Sequence, residues 1–240
     1  MRYNIGLDIG IASVGFAVME LDENDLPIKI IRNGSRIFDA AENPKDGAPL
    51  AEPRREARGA RRRTRRRKHR KERIRSLIVT QNILKREQLN ALYNGQLVDI
   101  YELRAQALDR VVSNEELSRI LLHLAQRRGF KSNRETDEEP KDAKGLLKSI
   151  KENSAELSKY RTVGEMFYYR KKENAEKNPG LGEKVRNAPN DYSNTVTRAD
   201  VADEVREIFS CQRELGNSFC AADFEENYLK ILLSQRSFEE

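Results

Sequence analysis

Residues 53–75 read PRREARGARRRTRRRKHRKERIR. Pro53 suits the first position of a helix, where its missing N–H is not needed, and no proline follows for many residues. We therefore expect one long helix over 53–79. Its sequence has no apolar stripe before Ile74, Leu77 and Ile78, so most of this helix cannot be held by a hydrophobic core.

The charge of this segment points to its partner. Residues 52–75 contain twelve Arg, two Lys and three Glu, a net charge of +11, whereas the chain as a whole carries +6. The other 216 residues therefore sum to −5. Repulsion among so many guanidinium groups opposes any ordered state unless an anion neutralises them, so the segment predicts a polyanionic partner.

Upstream of this helix, the pattern predicts strands. Residues 2–21, RYNIGLDIGIASVGFAVMEL, alternate apolar with small or polar residues around a glycine-containing turn, which predicts a β-hairpin. A third strand is expected at 28–31, or continuing toward 36–38, with Asn33 and Gly34 as a turn or bulge. Three strands form only an incomplete domain.

Downstream, the pattern is helical and amphipathic. In Ser113–Arg128, Ser113 and Glu116 match a capping box and Gly129 marks the C-terminal end of the helix.

His123 is expected to be a packing residue rather than a catalytic one, and the aromatic residues of 160–169 are expected to form a local core. Polar loops are expected at 131–141 and 170–197. The other helices are expected at 97–110, 142–158, 200–215 with Asp200 as N-cap, and 221–235.

Composition excludes several classes of protein. No apolar run approaches the roughly 18 residues that a membrane helix needs, and the N-terminus has no signal-peptide pattern. Cys211 and Cys220 lack the spacing of a disulfide framework or a zinc site. We expect a soluble, intracellular α+β chain, mostly α, without a membrane partner.

Asp8 is the residue with the clearest catalytic potential. It shares one face of the first strand with Gly6 and Gly10, opposite the apolar residues, so its carboxylate would project from an uncrowded surface. A carboxylate in this position suits a hard cation such as Mg²⁺. The alternative is that Asp8 only hydrogen-bonds the adjacent turn.

At least four stretches carry a family resemblance. IGLDIGIASVGFAV resembles the first strand pair of RNase H-like proteins, both the actin and sugar-kinase ATPases and the RuvC-like nucleases, and the arginine segment resembles the bridge helix of type II CRISPR RNA-guided DNA endonucleases. LLHLAQRRGFKSNR at 121–134 is similar to part of the recognition lobe of the compact type II-C members. The same type II-C members are also resembled, in order and spacing, by DYSNTVTR at 191–198 and by QRELGN at 212–217 followed by SQR at 234–236.

The resemblance implies three segments. Residues 1–51 would be the first RuvC segment of an incomplete RNase H-like domain, 52–79 the bridge helix, and 80–240 the first part of a helical recognition lobe. Asp8 would be the first catalytic and metal-binding residue of the RuvC site, which cuts the non-target DNA strand. It would bind Mg²⁺, or Mn²⁺, only together with later RuvC segments, so this piece alone is expected to be inactive.

The resemblance also implies a location in the bacterial cytoplasm, and it implies partners. The bridge helix and recognition lobe would bind guide RNA, both crRNA and tracrRNA, and the guide–target DNA heteroduplex, beside the remainder of the endonuclease chain. An inhibitor protein is a further candidate, because a cationic helix attracts acidic partners. The residues expected to bind RNA are Arg54, Arg55, Arg58, Arg61, Arg62, Arg63, Arg65, Arg66, Arg67, Arg70, Arg73, Arg128, Lys131 and Arg134.

Two other functions remain open at this point. An actin-like or sugar-kinase ATPase would explain Asp8 but needs a second phosphate loop, and no second Asp-x-Gly repeat is present. A general basic RNA-binding protein would explain the arginine helix but would leave the Asp8 hairpin and the other family-like stretches to coincidence.

Overall fold

The computed structural model describes residues 2–10, 12–39, 41–43, 45–95, 97–131, 143–177, 185, 187 and 191–234. The chain divides into two compact units, residues 1–63 and 64–240. The first contains a small sheet and the beginning of a long helix. The second contains the rest of that helix and the seven helices that follow it in the described part of the chain. The expected α+β class is confirmed.

The sheet of the first unit is antiparallel, with strands β1 (Arg2–Ile9), β2 (Ser13–Leu21) and β3 (Pro27–Ile37) in sequence order. The predicted hairpin is therefore present. The turn or bulge predicted at residues 33 and 34 is wrong, since both pair regularly with β2 and the register shifts instead opposite Val18 and Met19. Gly34 makes room for an aromatic ring: a Cβ atom there would lie 3.0 Å from a ring carbon of Phe16.

Helix α1 runs from Glu52 to Thr80, close to the predicted range. In its last two turns Ile74 and Ile78 are fully buried in the core of the second unit. Its earlier turns carry exposed arginines, as expected of a segment without an apolar stripe.

The second unit is a helical domain with one hydrophobic core, to which helix α4 (Asn114–Gln126) contributes more buried residues than any other described helix. The apolar side chains of α4 are buried together with Phe209, Phe224 and Tyr228. The described part of the chain contains no helix long and apolar enough to cross a membrane. The helices are α2 (Arg86–Ala91), α3 (Ile100–Gln106), α4 (Asn114–Gln126), α5 (Ala143–Leu157), α6 (Val163–Lys177), α7 (Arg198–Glu214) and α8 (Ala222–Leu233).

The predicted ends of α4 are confirmed. Ser113 and Glu116 form the capping box, and Gly129 follows the helix with φ of 80°. The prediction for α7 was wrong in detail: Thr197 is the N-cap, and Asp200 accepts a hydrogen bond from the backbone N–H of Thr197. The loop predicted at 170–197 is also wrong over 170–177, which are helical, and residues 132–142 lie outside the described residues.

Candidate nucleic-acid interface

The exposed arginines of α1 form the first part of the candidate interface. In the first unit the exposed side chains are Arg54, Arg55, Arg58, Arg61, Arg62 and Arg63, and in the second unit they are Arg65, Arg67 and Arg73. Arginine offers planar forks of donors that match phosphate oxygens. The helix therefore presents repeated phosphate-binding groups to solvent.

Arg66 and Arg70 differ from these residues because they are half-buried. The Nε atom of Arg70 donates a hydrogen bond of 2.6 Å to the carbonyl oxygen of Ala125, in the last turn of α4. Burial lowers the pKa of Arg70, and the nearby charges of Arg198 and Arg67 lower it further. Arg70 is thus held in place where other cations surround it.

Arg128 reaches the same region from the end of α4. Its Nη1 atom donates to the carbonyl oxygens of Leu232 and Ser234, at 2.8 and 2.7 Å, so it caps the C-terminus of α8. Its pKa is lowered to about 10 by burial and by Arg70, Arg198 and Arg66, so it stays charged at neutral pH. This residue, expected to bind RNA, also has a structural task.

Arg198 completes the arrangement. Backbone hydrogen bonds from Phe130 to Val196 (2.9 Å) and from Arg198 to Phe130 (2.8 Å) join the segment after α4 to the start of α7. Gly129 permits this approach, because a Cβ atom there would collide with the carbonyl oxygen of Thr197. The Nε atom of Arg198 is buried and has no hydrogen-bond partner among the described residues.

Together Arg66, Arg70, Arg128 and Arg198 form what we call the four-arginine cluster. Three chain segments bring these like charges within interaction range of one another. Among the described residues, no carboxylate forms a salt bridge with Arg70, Arg128 or Arg198. An arrangement of this kind is electrostatically unfavourable by itself and becomes favourable when it binds an anion.

Sequence reasoning did not select Arg198. The residue lies in the stretch DYSNTVTR, but nothing local marks it as a binding group. The capping pattern of Thr197 and Asp200 could have placed it at the start of a helix. Of the other two residues expected to bind RNA, Lys131 is exposed, whereas Arg134 lies outside the described residues.

His123 is a packing residue, as expected. Burial, followed by the charges of Arg104 and Arg127, lowers its pKa to about 2, so the ring is neutral. Its Nδ1 atom therefore accepts a hydrogen bond from Arg104, at 3.3 Å. Of the expected aromatic core, Phe167 is buried, but Tyr169 is 48% exposed and stacks on Tyr160.

Asp8 lies in the first unit, one residue before the end of the edge strand β1, on the sheet face that it was predicted to share with small residues. It pairs with Gly15 and borders a shallow groove lined also by Gly6, Ala17 and Ser35. The Asp8 carboxylate is exposed and forms no hydrogen bond or ion pair with the described residues, so the turn-capping alternative is not observed.

The described residues do not complete a metal centre around Asp8. None of their His, Cys, Asp and Glu side chains gather in a group of three or more that could hold a metal ion. Asp8 therefore supplies a single carboxylate, which can serve as one ligand of a site that needs several.

Comparison with curated proteins gives relatives of one kind. No protein-family model matches the chain. Over 243 residues it is 36% identical to the CRISPR-associated endonuclease Cas9 of Campylobacter jejuni. This alignment covers 98% of this chain and 24% of the relative. It is 31% identical to the Cas9 of Staphylococcus aureus, over 100% of this chain and 20% of the relative. The chain thus spans about a quarter or less of the length of these relatives.

Solved structures agree with these relatives. The Campylobacter jejuni Cas9 in complex with sgRNA and target DNA matches with a TM-score of 0.68 and 34% identity, over 99% of this chain and 30% of that one. A complex of St1Cas9 with sgRNA, DNA and the anti-CRISPR protein AcrIIA6 matches with a TM-score of 0.61 and 26% identity. This match covers 99% of this chain and 26% of that one.

Proposed function

The chain is homologous, over nearly its whole length, to the N-terminal region of Cas9 endonucleases, and we propose that it forms the guide-RNA-binding part of such an enzyme. The observation that carries this proposal is the four-arginine cluster of the second unit. The solved relatives hold sgRNA and target DNA. Guide RNA (crRNA and tracrRNA) and the guide–target heteroduplex are therefore the proposed partners.

The chemistry of the cluster fits the RNA backbone. Contacts to phosphates supply affinity and fix the register of the RNA, but they do not read its sequence. Arg70 and Arg128 are held by carbonyl groups, so little side-chain entropy is lost when a phosphate binds. The helix would thus hold the guide strand in a defined position from which its bases can pair with DNA.

Asp8 has a separate proposed role. In a complete enzyme it would be one carboxylate ligand of a divalent metal site, with Mg²⁺ as the first candidate and Mn²⁺ as the second. Such a metal activates water and stabilises the charge that develops on a phosphodiester during hydrolysis. The further ligands would come from beyond the described residues. The division into a RuvC segment (1–51), a bridge helix (52–79) and a recognition lobe (80–240) belongs to the same proposal.

Of the two alternatives, the ATPase is not favoured, because the two curated relatives described above are both named as endonucleases. The second alternative, a general RNA-binding protein, differs from our proposal in binding specificity, because such a protein would not prefer the guide RNA to other nucleic acids. We also keep the inhibitor as a proposed partner, because one solved relative is bound to an anti-CRISPR protein.

A salt titration tests the proposed function. The purified chain is titrated with a type II-C repeat and anti-repeat guide RNA, an unstructured RNA of equal length, and duplex DNA. We expect tighter binding to the folded guide, by about tenfold over both competitors, with a margin that persists as salt is added. Equal binding to all three at physiological salt would instead support a general polyanion-binding helix.

Asp8→Ala is expected to leave this RNA binding unchanged within about twofold. The Asp8 carboxylate is exposed and has no partner among the described residues, so its removal breaks no contact and leaves the arginines untouched. Guide-RNA affinity and thermal unfolding of the purified variant are the measurements. A tenfold loss of affinity would show that Asp8 supports the RNA-binding structure rather than acting separately.

A further inference from the structure

Three tyrosines near the start of α6 form an aromatic surface that the proposed function does not use. Tyr160 lies between α5 and α6, and Tyr168 and Tyr169 lie on α6. The rings of Tyr160 and Tyr169 stack, with 5.8 Å between their centroids and 23° between their planes. The ring of Tyr168 lies 5.4 Å from that of Tyr169, at an inclination of 60°. We call these three residues the tyrosine group.

Tyr169 is the most exposed ring of this group. The neighbouring Phe167 is 5% exposed and belongs to the hydrophobic core, whereas Tyr169 is 48% exposed. Tyr160 covers one face of the Tyr169 ring, so the exposed surface includes the opposite face. A ring that is already held by two neighbours loses little side-chain entropy when a ligand stacks on it.

A lysine lies beside the tyrosine group. The Nζ atom of Lys172 is 4.6 Å from the centroid of the Tyr168 ring. Lys172 is also three residues from Tyr169 on α6, a spacing that places two side chains next to each other on the helix surface. Lys172 is exposed and forms no salt bridge with the described carboxylates.

The carboxylates one turn from Tyr169 do not neutralise this lysine. Glu165 forms a salt bridge of 2.7 Å with Arg161, and Glu173 forms one of 2.8 Å with Lys177. Each of these acidic groups therefore has a cation of its own. The tyrosine group thus combines an open aromatic face with a neighbouring positive charge that has no ion-pair partner among the described residues.

An unpaired nucleotide has the chemistry that matches this surface. Every nucleobase has a flat π face that stacks on an aromatic side chain, and the phosphate beside it is attracted to a cation. The bases of a duplex are stacked on one another and do not offer such a face, so the ligand has to be unpaired. Stacking on aromatic rings within a positively charged surface is the general way in which proteins bind single-stranded nucleic acids.

We propose that the tyrosine group binds an unpaired nucleotide of the guide RNA, with the base on the open face of Tyr169 and a phosphate beside Lys172. This inference rests on the proposed function, because it takes the guide RNA as the ligand of the chain. The site differs from the arginines of α1 in its place on α6 and in its chemistry. Phosphate contacts release counterions and weaken as salt is added, whereas stacking releases none.

Tyr169→Ala separates stacking from charge in a salt titration of the purified chain with the repeat and anti-repeat guide RNA. Affinity should fall about tenfold, because the stacking of one base is lost. The log–log salt slope should stay the same, because no phosphate contact is removed. Lys172→Gln should instead lower the slope by about 0.7 and the affinity about fourfold. Tyr169→Phe keeps the ring, so its affinity should stay within about twofold of the unaltered chain.

Photocrosslinking identifies the contact directly. Guide RNA that carries 4-thiouridine at its unpaired uridines should crosslink on irradiation to the peptide that contains Tyr169, as identified by mass spectrometry. The crosslink should persist in Tyr169→Phe and be lost in Tyr169→Ala. If Tyr169→Ala is unfolded in a thermal scan, Tyr169→Leu replaces it, because leucine keeps an apolar side chain but has no aromatic face.

Tyr3→Ala is the matched control. Tyr3 is 62% exposed on β1 and has no ring contact with the described residues, so its removal should leave RNA affinity unchanged. If Tyr169→Ala binds as tightly as Tyr3→Ala, or lowers the salt slope as Lys172→Gln does, no base stacks on Tyr169. The inference is then wrong, and the proposed function stands. If the unaltered chain does not prefer the guide RNA, the proposed function itself fails.

Discussion

Glu204→Gln is expected to lower the melting temperature of the helical unit by about 10 °C, corresponding to a loss of about 3–5 kcal/mol in the free energy of unfolding. Glu204 on α7 binds Arg104 on α3 through two hydrogen bonds, from Nε at 2.7 Å and from Nη2 at 2.5 Å. The side chains are 0% and 4% exposed. Removing one charge leaves the other buried and unpaired.

The surroundings of this ion pair cannot compensate for the loss. Burial opposes the charge on Arg104, and Glu204 more than offsets it, so that the pKa of Arg104 is raised. His123, the other side chain bonded to Arg104, is neutral. The backbone N–H of Gly164 also donates to Glu204, at 3.1 Å, and a Cβ atom at Gly164 would lie 2.5 Å from a Glu204 oxygen, so the site has no room to rearrange.

Asp203→Asn is the matched control, because it removes the same charge from the neighbouring position. Asp203 forms an exposed pair with Arg206, and pairs of this kind contribute about 0–1 kcal/mol. Thermal unfolding followed by helix circular dichroism should show little change in this control. The double variant Arg104→Met/Glu204→Gln should recover part of the stability lost in Glu204→Gln. Equal melting temperatures for Glu204→Gln and Asp203→Asn would show that the buried pair contributes no more than a surface pair.

The sequence predicted the structural features that depend on neighbouring residues. The start of α4 follows from Ser113 and Glu116 and its end from Gly129, because caps act over a single turn. For α7, both Thr197 and Asp200 are good capping residues, and the sequence alone does not show that Thr197 is the cap and Asp200 its partner. Helix α6 was predicted as a loop over 170–177, since its buried residues lie only in its first turns.

The sequence could not predict contacts between distant segments. Arg104 and Glu204 are 100 residues apart, and charged residues are normally assigned to the surface. Arg198 joins Arg128 and Arg70 only because a backbone bridge from Phe130 holds the start of α7 beside the end of α4. The candidate site was therefore recognisable on α1, where charge is dense, but its completion by α7 required the structure.

The triple variant Arg62→Gln/Arg66→Gln/Arg70→Gln is expected to bind the guide RNA about 50-fold more weakly at physiological salt. Each phosphate contact contributes about 0.7 to the log–log salt slope for single strands, which is about fourfold in affinity at 0.15 M salt. The three residues lie one turn apart on α1, and the last two belong to the four-arginine cluster. The slope itself should fall by about 2, which a titration from low to high salt measures directly.

Two controls separate specific contacts from net charge. The first control removes the same number of positive charges from other helices, in the variant Lys148→Gln/Lys177→Gln/Lys230→Gln. These lysines lie on α5, α6 and α8, and each is more than 60% exposed and pairs with a glutamate of its own helix. This variant should lose less than about threefold in affinity, because distant charges are screened at physiological salt. The second control replaces Arg62, Arg66 and Arg70 by lysine, which keeps the charge but removes the planar fork of donors. Its affinity for the guide RNA should lie between those of the arginine-to-glutamine and the lysine-to-glutamine variants. If the lysine-to-glutamine variant loses as much affinity as the arginine variant, binding depends on the overall charge of the chain, and α1 has no special role as a phosphate-binding helix.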